Sequence, residues 1–309
     1  MSRLGRTEIT KPKSGRHTGT VIFLHGSGGT GQFSKEWVEM LRENASFPHL
    51  KIMYPTAPMR PYTPLNGELS NVWFNRLQIS PDCSEQLDTL NPMGEELKEL
   101  IKEEVKSGIP LNRIVVGGFS MGGAMAMHLA FRFVPEVAGV FALSSFLNDN
   151  SATYKELKEK KQSKLPALFY AHGDRDDLVD LAWGKKTFEL LQELGVKGEF
   201  HVINHTFHEL KKKEIDMLFD WITNELVTHN SINVRFGGVI EYHDDNNDSS
   251  WEPHDSQILK LRVSFGHQQQ SRFSFNYREP CLYGFGKFGT DKEDLDLKES
   301  QDVSALSGV

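Results

Sequence analysis

The sequence contains little cysteine, no long apolar run and no excess of basic charge, and each shortage excludes a class of protein. Its two cysteines, Cys83 and Cys281, lie far apart without the C-x-x-C spacing of metal or redox sites, which excludes a disulfide framework. No stretch approaches the roughly 18 apolar residues of a membrane span, and the N-terminal residues are polar. We therefore expect a cytosolic protein without stable membrane insertion.

The charge balance argues against a nucleic-acid partner. The net charge is −7 and the pI is near 6.0, so no broad basic field is expected around the chain. The content of hydrophobic residues, 38%, and of charged residues, 25%, is typical of a globular protein. With 309 residues the chain is long enough for one large domain or two small ones.

One serine stands between glycines at the end of an apolar run. Gly118, Ser120 and Gly122 match the pattern G-x-S-x-G, and a predicted helix follows them directly. The pattern is typical of a sharp strand-to-helix turn that holds a nucleophilic serine in a strained backbone conformation. The alternative is a serine in an ordinary loop, but the strand predicted before it and the helix predicted after it favour the nucleophile.

Strands and helices alternate through most of the chain. Buried strands are predicted at 20–24, 51–54, 114–119, 139–143, 165–171 and 199–203, and helices at 35–44, 92–107, 121–133, 182–194 and around 215–226. Such alternation predicts an α/β protein with a mostly parallel, doubly wound sheet and helices on both faces.

The two ends of the chain differ from this middle part. Residues 1–19 are polar and predict an irregular leader, whereas 20–228 form the predicted α/β domain. The remaining 229–309 predict a C-terminal extension. Within it 258–265 and 273–277 alternate like strands, but no helix–strand alternation continues, and mostly irregular or weakly β structure is therefore favoured.

A glycine-rich loop follows the first strand, and two roles are possible for it. Four of the six residues at 26–31 are glycine, as in phosphate-binding loops, but the Gly-Lys-Ser/Thr ending and the G-x-G-x-x-G spacing are absent. In doubly wound serine hydrolases, a His-Gly loop at this place supplies one N–H group of the oxyanion hole. Ser27 is the candidate for that donor, and Met121, directly after Ser120, is the candidate for the other.

A serine hydroxyl needs a base, and the base needs a group that orients it. Acidic residues follow the predicted strand 165–171, at the edge where ligands bind in a doubly wound sheet, and histidines follow the predicted strand 199–203. The candidate acids are Asp174, Asp176 and Asp177, and the candidate bases are His205 and His208. Spacing does not choose among them. His25 and His172 are interpreted as structural residues of strand-end turns.

A proline-rich loop at 55–64 leads towards two aromatic residues, Trp73 and Phe74. Prolines at this density exclude a helix interior or a central strand, and a loop of this length is often functional. The two aromatic side chains either line an acyl pocket or pack the loop onto the core.

Six sequence motifs occur together between about 20 and 226. They are Phe-Leu-His-Gly-Ser-Gly-Gly at 23–29, Tyr-Pro-Thr-Ala-Pro at 54–58, Asn-Val-Trp-Phe at 71–74, Gly-Gly-Phe-Ser-Met-Gly-Gly at 117–123, Ala-Leu-Ser-Ser-Phe-Leu at 142–147 and His-Glu-Leu at 208–210. This set resembles the acyl-protein thioesterase and lysophospholipase family, and the resemblance implies the α/β-hydrolase fold.

The resemblance also implies roles for individual residues. It implies that Ser120 is the nucleophile, Asp176 the acid and His208 the base, with oxyanion donors at Ser27 and Met121. The chain departs from the family pattern at three positions. Asn75 stands where aspartate is usual, Met121 where glutamine is usual, and Asp177 where proline is usual.

The expected function is hydrolysis of carboxylic esters and thioesters by a serine enzyme. The substrate is either an S-acylated protein, as for an acyl-protein thioesterase, or a small acyl ester, as for a short-chain carboxylesterase or lysophospholipase. No metal or organic cofactor is expected, since the histidines of the tail lack metal-ligand spacing; these are His243, His254 and His267. The alternatives are a noncatalytic binding module on the same scaffold and a peptidase. Acyl-chain length and oligomeric state are left open.

Overall fold

The structure is a computed structural model that describes residues 3–43, 45–160, 164–228, 258–265 and 269–276. The strands are β1 Glu8–Thr10, β2 Gly19–Leu24, β3 Leu50–Tyr54, β4 Met59–Tyr62, β5 Glu68–Asn71, β6 Ile114–Phe119, β7 Gly139–Leu143, β8 Ala167–Gly173, β9 Gly198–Ile203, β10 Ile258–Phe265 and β11 Gln269–Asn276. The helices are α1 Gly31–Leu41, α2 Leu87–Lys106, α3 Met121–His128, α4 Ala152–Glu159, α5 Leu181–Glu193 and α6 Lys212–Thr228. A π-helical turn, Leu129–Phe133, continues α3.

Seven strands form the central sheet, in the order β1-β3-β2-β6-β7-β8-β9. Strand β1 pairs antiparallel with β3, and the other neighbours pair in parallel. The carboxyl ends of the six parallel strands therefore lie at one edge of the sheet. The loops that follow β2, β6, β8 and β9 carry the candidate nucleophile, acids, bases and oxyanion donors, and the topology gathers them at this edge.

Helices cover both faces of the central sheet. Because side chains alternate along a strand, Val21 and Phe23 of β2 join one hydrophobic core, together with α1 and α6. Ile22 and Leu24 join the other core, together with α2, α3, α4 and α5. Every residue of β2 and β6 is buried, as expected for parallel strands covered on both faces. The predicted α/β class, with a mostly parallel sheet between helices, is confirmed.

None of the described helices combines the length and the apolar character that crossing a membrane requires.

Three features of the first 234 residues differ from the predictions. The leader is not wholly irregular, because β1 pairs with β3 from Glu8↔Tyr54 to Thr10↔Ile52. The proline-rich loop contains β4, which forms an antiparallel ribbon with β5. Pro61 is tolerated there because both strands of a two-stranded ribbon are edge strands. Helix α4 is also absent from the sequence predictions.

The chain divides into two compact units, Met1–Val234 and Arg235–Val309. In the second unit, β10 and β11 pair antiparallel from Ile258↔Asn276 to Phe265↔Gln269. The two paired strands overlap the segments 258–265 and 273–277, whose sequences alternate like strands. The mostly irregular or weakly β character of the extension as a whole stays a prediction. The other residues after 228 lie outside the described residues; among them are His243, His254, His267 and Cys281. The domain boundaries at 19 and 228 stay predictions.

Candidate active site

Ser120 lies in the sharp turn between β6 and α3. Its backbone has φ 54° and ψ −122°, a conformation that residues with a side chain rarely adopt and that costs about 1–3 kcal/mol. Two contacts with neighbouring strand ends hold the turn: the Ser120 N–H donates to the Leu143 carbonyl at 2.8 Å, and the Ser145 hydroxyl donates to the Ser120 carbonyl at 2.7 Å. The predicted strand–turn–helix arrangement is therefore present around this serine.

The glycines on either side of Ser120 are required by close packing against the end of β2. A Cβ added at Gly122 would overlap the carbonyl oxygen of Leu24 and lie 2.6 Å from that of His25. A Cβ added at Gly118 would overlap the same Leu24 oxygen. The G-x-S-x-G pattern here thus reflects contact with the neighbouring strand as well as the turn itself.

Asp176 and His208 are in direct contact. Nδ1 of His208 lies 2.8 Å from Oδ2 and 3.0 Å from Oδ1 of Asp176. The other hydrogen bonds to Oδ1 come from the N–H groups of Leu178, at 3.1 Å, and Val179, at 2.8 Å. The Asp176 side chain is fully buried, and that of His208 is 14% exposed.

The electrostatics of this pair favour a charged carboxylate at Asp176. Burial raises the pKa of Asp176, but hydrogen bonds from His172, His208 and the Val179 N–H outweigh burial and hold that pKa well below its ordinary value. A carboxylate in this state orients the His208 ring and stabilises positive charge on it.

The other candidate acids and bases lie elsewhere. Asp174 is exposed, and its Oδ1 accepts the Thr206 N–H at 3.2 Å. Asp177 and His205 are also exposed, and His205 has a positive φ of 55°. The structure therefore brings together Asp176 and His208 among the five candidates that the sequence left open.

Two contacts link this pair and the glycine-rich loop to the serine turn. The ring of Phe119, the residue before Ser120, packs on the His208 ring with centroids 4.7 Å apart. A Cβ added at Gly26 would lie 3.4 Å from Cβ of Ser120. The loops after β2, β6 and β9 therefore meet around the serine.

His25 fixes the glycine-rich loop against the 55–74 segment. One ring nitrogen, Nε2, accepts the Ala57 N–H at 2.9 Å, so that Nδ1 carries the proton and donates to the Gly26 carbonyl at 2.6 Å. Burial lowers the pKa of His25 to about 4, which keeps the ring neutral near pH 7. The Trp73 indole N–H donates to the His25 carbonyl at 2.8 Å. This geometry agrees with the interpretation of His25 as a structural residue.

Met121 and Ser27, the two candidate N–H donors of the oxyanion hole, lie in different surroundings. Met121 is buried and is the first residue of α3, where the N–H groups have no partner within the helix. Ser27 is exposed on the loop after β2, and the next residue, Gly28, donates its N–H to the Asn71 carbonyl at 2.9 Å. The β4–β5 ribbon thus supports the loop that bears Ser27.

Trp73 and Phe74 both belong to the hydrophobic core. Their exposed fractions are 0% and 2%. The Phe74 ring contacts the His128 ring edge-on, and the Arg76 guanidinium lies 5.1 Å from the Phe74 centroid. Packing of the loop onto the core is therefore observed, and a role of either residue in an acyl pocket stays a prediction.

A cavity of about 90 Å³ lies beside the glycine-rich loop. Its walls include Ser27, the α1 residues Phe33 and Trp37, Phe119 before the serine, and Leu210 beyond His208. Sequence reasoning missed Phe33 and Trp37, although their spacing on α1 places both on one face of that helix. This mostly apolar space adjoins the loops that carry Ser27 and Ser120.

Two buried titratable residues lie near Asp176: the sequence interpretation treated His172 as structural, without its contact with the acid, and did not single out Glu214. His172 is fully buried, and its Nε2 lies 3.4 Å from Oδ2 of Asp176. Glu214, in the first turn of α6, is 1% exposed and accepts the Lys211 N–H at 3.3 Å. Burial, together with the charge of Asp176, raises the pKa of Glu214 to about 8, although the hydrogen bond from the Lys211 N–H lowers it. Glu214 is therefore largely protonated near pH 7 and places no second negative charge beside the pair.

The sheet topology and the serine turn define the chain as a serine hydrolase with the α/β-hydrolase fold. Residues 5–226 match the phospholipase/carboxylesterase family, and the chain belongs to that family. The family resemblance inferred from the six motifs is confirmed, and so is the assignment as a hydrolase.

The relatives include acyl-protein thioesterases and a lysophospholipase-like protein. The chain is 53% identical to lysophospholipase-like protein 1 of Mus musculus over 214 residues, which cover 69% of this chain and 89% of that protein. It is 34% identical to acyl-protein thioesterase 1 of Neurospora crassa over 227 residues, which cover 72% of this chain and 92% of that protein. Among solved structures, acyl-protein thioesterase 2 of Zea mays is similar with a TM-score of 0.63 and 26% identity, covering 72% of this chain and 99% of that one.

Proposed function

We propose that the protein hydrolyses carboxylic esters and thioesters, including S-acyl groups on protein cysteines, through Ser120, His208 and Asp176. The observation that carries the proposal is the buried contact between His208 and Asp176 beside the strained Ser120 turn. The names of the relatives, which describe thioesterases and a lysophospholipase-like protein, support this substrate range.

In the first half of the reaction, Ser120 Oγ attacks the acyl carbonyl carbon. His208 accepts the hydroxyl proton at Nε2, while its Nδ1–H stays bonded to Asp176. The carbon–oxygen or carbon–sulfur bond to the leaving group then breaks, and His208 returns the proton to that group. The products of this half are an alcohol or thiol and an acyl-serine ester.

The negative oxygen formed during the attack needs donors that are already in place. We assign these to the backbone N–H groups of Met121 and Ser27. The Met121 N–H stands at the start of α3, where the helix dipole also favours negative charge. The donor is a backbone group, so the departure from glutamine at position 121 leaves it unchanged.

In the second half, water replaces the leaving group. His208 Nε2 takes a proton from the water as its oxygen attacks the acyl-serine carbonyl, and then returns that proton to Ser120 Oγ as the ester bond breaks. The carboxylic acid leaves and the enzyme returns to its starting state. Every proton that moves in the two halves of the reaction is carried by His208.

The proposed substrates share an acyl group on oxygen or sulfur and differ in the rest of the molecule. The cavity lined by Phe33, Trp37 and Phe119 offers apolar contact near the reacting atoms. Trp73 and Phe74 remain proposed pocket residues for the acyl chain. A cytosolic location is part of the same proposal.

The test is a series of ester and thioester hydrolyses with increasing acyl length, run on the full chain and on its Ser120→Ala variant. We expect turnover of both ester types by the wild type and a loss of about 10³-fold or more in Ser120→Ala. An equally folded Ser120→Ala protein with wild-type turnover would overturn the proposal. Turnover of amides in preference to thioesters would favour a peptidase instead.

A further inference from the structure

A second histidine, His172, lies beside the carboxylate of Asp176. His172 lies near the end of β8 and is fully buried. Its Nε2 is 2.8 Å from the Val179 carbonyl oxygen and 3.4 Å from Oδ2 of Asp176. One ring nitrogen thus faces both ends of the short loop 176–179.

The surroundings of His172 determine which nitrogen carries its proton. A carbonyl oxygen only accepts hydrogen bonds, so Nε2 must carry the hydrogen. Nδ1 is buried without a hydrogen-bond partner among the described residues. It faces α5 at Gly184, where an added Cβ would overlap Nδ1 and lie 2.9 Å from Cε1. A proton on Nδ1 would be left unsatisfied there, which favours a neutral ring that donates from Nε2.

Val179 completes a closed set of contacts around the carboxylate. Its N–H donates to Oδ1 of Asp176 at 2.8 Å, and its carbonyl accepts from His172 at 2.8 Å. His172 Nε2 in turn faces Oδ2, the oxygen that lies 2.8 Å from His208 Nδ1. Val179, His172 and His208 therefore together fix the loop that carries Asp176.

We propose that His172 is a positioning residue of this hydrolase, which clamps the 176–179 loop and holds the Asp176 carboxylate in the orientation that His208 requires. The inference rests on the proposed function, because it assigns Asp176 as the acid. The hydrogen bond from His172 also helps to keep the pKa of Asp176 low against the effect of burial.

The experiment compares two replacements of His172 in the full-length protein. Leucine removes the donor at similar volume, whereas glutamine keeps an amide N–H near the position of Nε2. We expect His172→Leu to lower kcat by about 10-fold or more, since a displacement of about 1 Å in a catalytic group has effects of up to about 100-fold. KM should stay within about twofold. His172→Gln should recover most of the lost kcat.

The pH profile separates positioning from general structural damage. The titratable groups around Asp176 are His172 on β8, His208 after β9 and Glu214 on α6. If the carboxylate is held less well in His172→Leu, the imidazolium at His208 loses stabilisation, and the acidic limb of kcat/KM moves to lower pH by about 0.5 unit. Loss of structure alone lowers the profile without moving it. A folded His172→Leu enzyme with wild-type kcat and an unmoved profile would overturn the inference.

A second variant keeps the inference testable if His172→Leu does not fold. Gly184→Ala leaves every reacting group unchanged but adds a methyl group that displaces the His172 ring. We expect a fall in kcat of about 10-fold with the same movement of the pH profile. Lys185→Ala, an exposed neighbour on α5, is the matched control and should behave as the wild type. Wild-type kcat in Gly184→Ala would also overturn the inference.

Ser120→Ala is measured alongside these variants. If Ser120→Ala loses activity while His172→Leu keeps the kcat of the wild type, only the role of His172 is overturned. Retained activity in Ser120→Ala overturns the proposed function itself.

Discussion

Nδ1 of His208 lies 2.8 Å from Oδ2 of Asp176, although 32 residues separate the two positions. The contact follows from the topology. Strands β8 and β9 are parallel neighbours, so the loops after them, which carry Asp176 and His208, begin at the same edge of the sheet. Asp174, two residues earlier in the same turn, accepts the N–H of Thr206 and so anchors the base-bearing loop to the acid-bearing one. The loop contacts thus support the pairing that the proposed mechanism uses.

Replacement of Asp176 by asparagine should lower kcat by about 10³–10⁴-fold. An amide can turn its N–H₂ group towards Nδ1 of His208 and so favour the ring tautomer that cannot accept the serine proton. The measurement is kcat with a thioester substrate, with thermal unfolding as the check on folding.

The matched control for that change is Asp177→Asn, at the exposed neighbouring position, which should keep activity within about twofold of the wild type. If Asp177→Asn loses as much activity as Asp176→Asn, the assignment of the acid is wrong.

Replacement of Gly122 by alanine should destabilise the protein by about 1–3 kcal/mol and lower kcat. The added Cβ would overlap the Leu24 carbonyl and force the Ser120 turn away from the end of β2. Urea unfolding and kcat measure the two effects.

Gly15→Ala is the control that separates the effect of atomic overlap, expected in Gly122→Ala, from the effect of backbone strain. Gly15 has φ 72° with nothing within 4 Å of an added Cβ, so this change introduces the strain of a positive φ without an overlap. We expect a cost of about 1 kcal/mol and unchanged kcat. Equal effects of the two variants on kcat would contradict the close-packing explanation.

The turn at Ser120 is predictable from sequence, whereas its partners are not. The turn is encoded locally by glycines at 118 and 122 between a strand and a helix. The choice of Asp176 over Asp174 depends on how two distant loops fold against each other, and no local pattern records that contact. The family resemblance implies the choice, and the observed geometry supports it without testing the chemical roles.

The failures to predict helix α4 and the contact of His172 with Asp176 have different physical causes. Helix α4 is only two turns long and buries few apolar residues, chiefly Tyr154 and Leu157, so its periodicity is weak. Its one local signal is Ser151, whose side chain caps the helix by accepting the Thr153 N–H. The contact of His172 with Asp176 arises from the curled loop after β8, which strand periodicity does not describe.

Replacement of Trp73 by phenylalanine should lower both stability and kcat. The indole N–H that donates to the His25 carbonyl is lost, and a buried acceptor left unpaired costs about 1–3 kcal/mol. Because His25 fixes the loop that bears Ser27, we expect kcat to fall while KM changes less. Steady-state kinetics and urea unfolding measure these effects.

Trp221→Phe is the control for Trp73→Phe, because Trp221 lies on the opposite face of the sheet. Trp221 is buried on α6 and packs against Phe169, so its truncation loses packing without touching the glycine-rich loop. This control should lose stability and keep its kcat. A fall of kcat in both variants in proportion to their stability would contradict the coupling through His25.

Replacement of Glu214 by glutamine should flatten the dependence of stability on pH near neutrality. The folded-state pKa of Glu214, about 8, lies above its ordinary value of 4.5. The stability linked to this proton is therefore complete below about pH 4.5 and is lost as the pH rises through about 8. His25, whose pKa burial lowers to about 4, acts in the opposite direction, but only below its ordinary value of 6.5.

The measurement is the thermal midpoint between about pH 6.5 and 8.5, where His25 contributes little. The wild-type midpoint should fall with pH, and that of Glu214→Gln should fall by a few degrees less. Glu209→Gln, at a carboxylate that pairs with Lys211, should follow the wild type. An equal slope in Glu214→Gln and the wild type would contradict the buried, protonated state of Glu214.

The central claim is that Ser120 is the nucleophile and that His208 activates it. The most direct measurement is the rate of labelling by a fluorophosphonate, which reacts with activated serines, followed by identification of the labelled peptide. We predict one label per chain at Ser120, no label in Ser120→Ala, and labelling slowed by about 100-fold or more in His208→Ala. A label on another residue, or undiminished labelling of Ser120→Ala, would contradict the account.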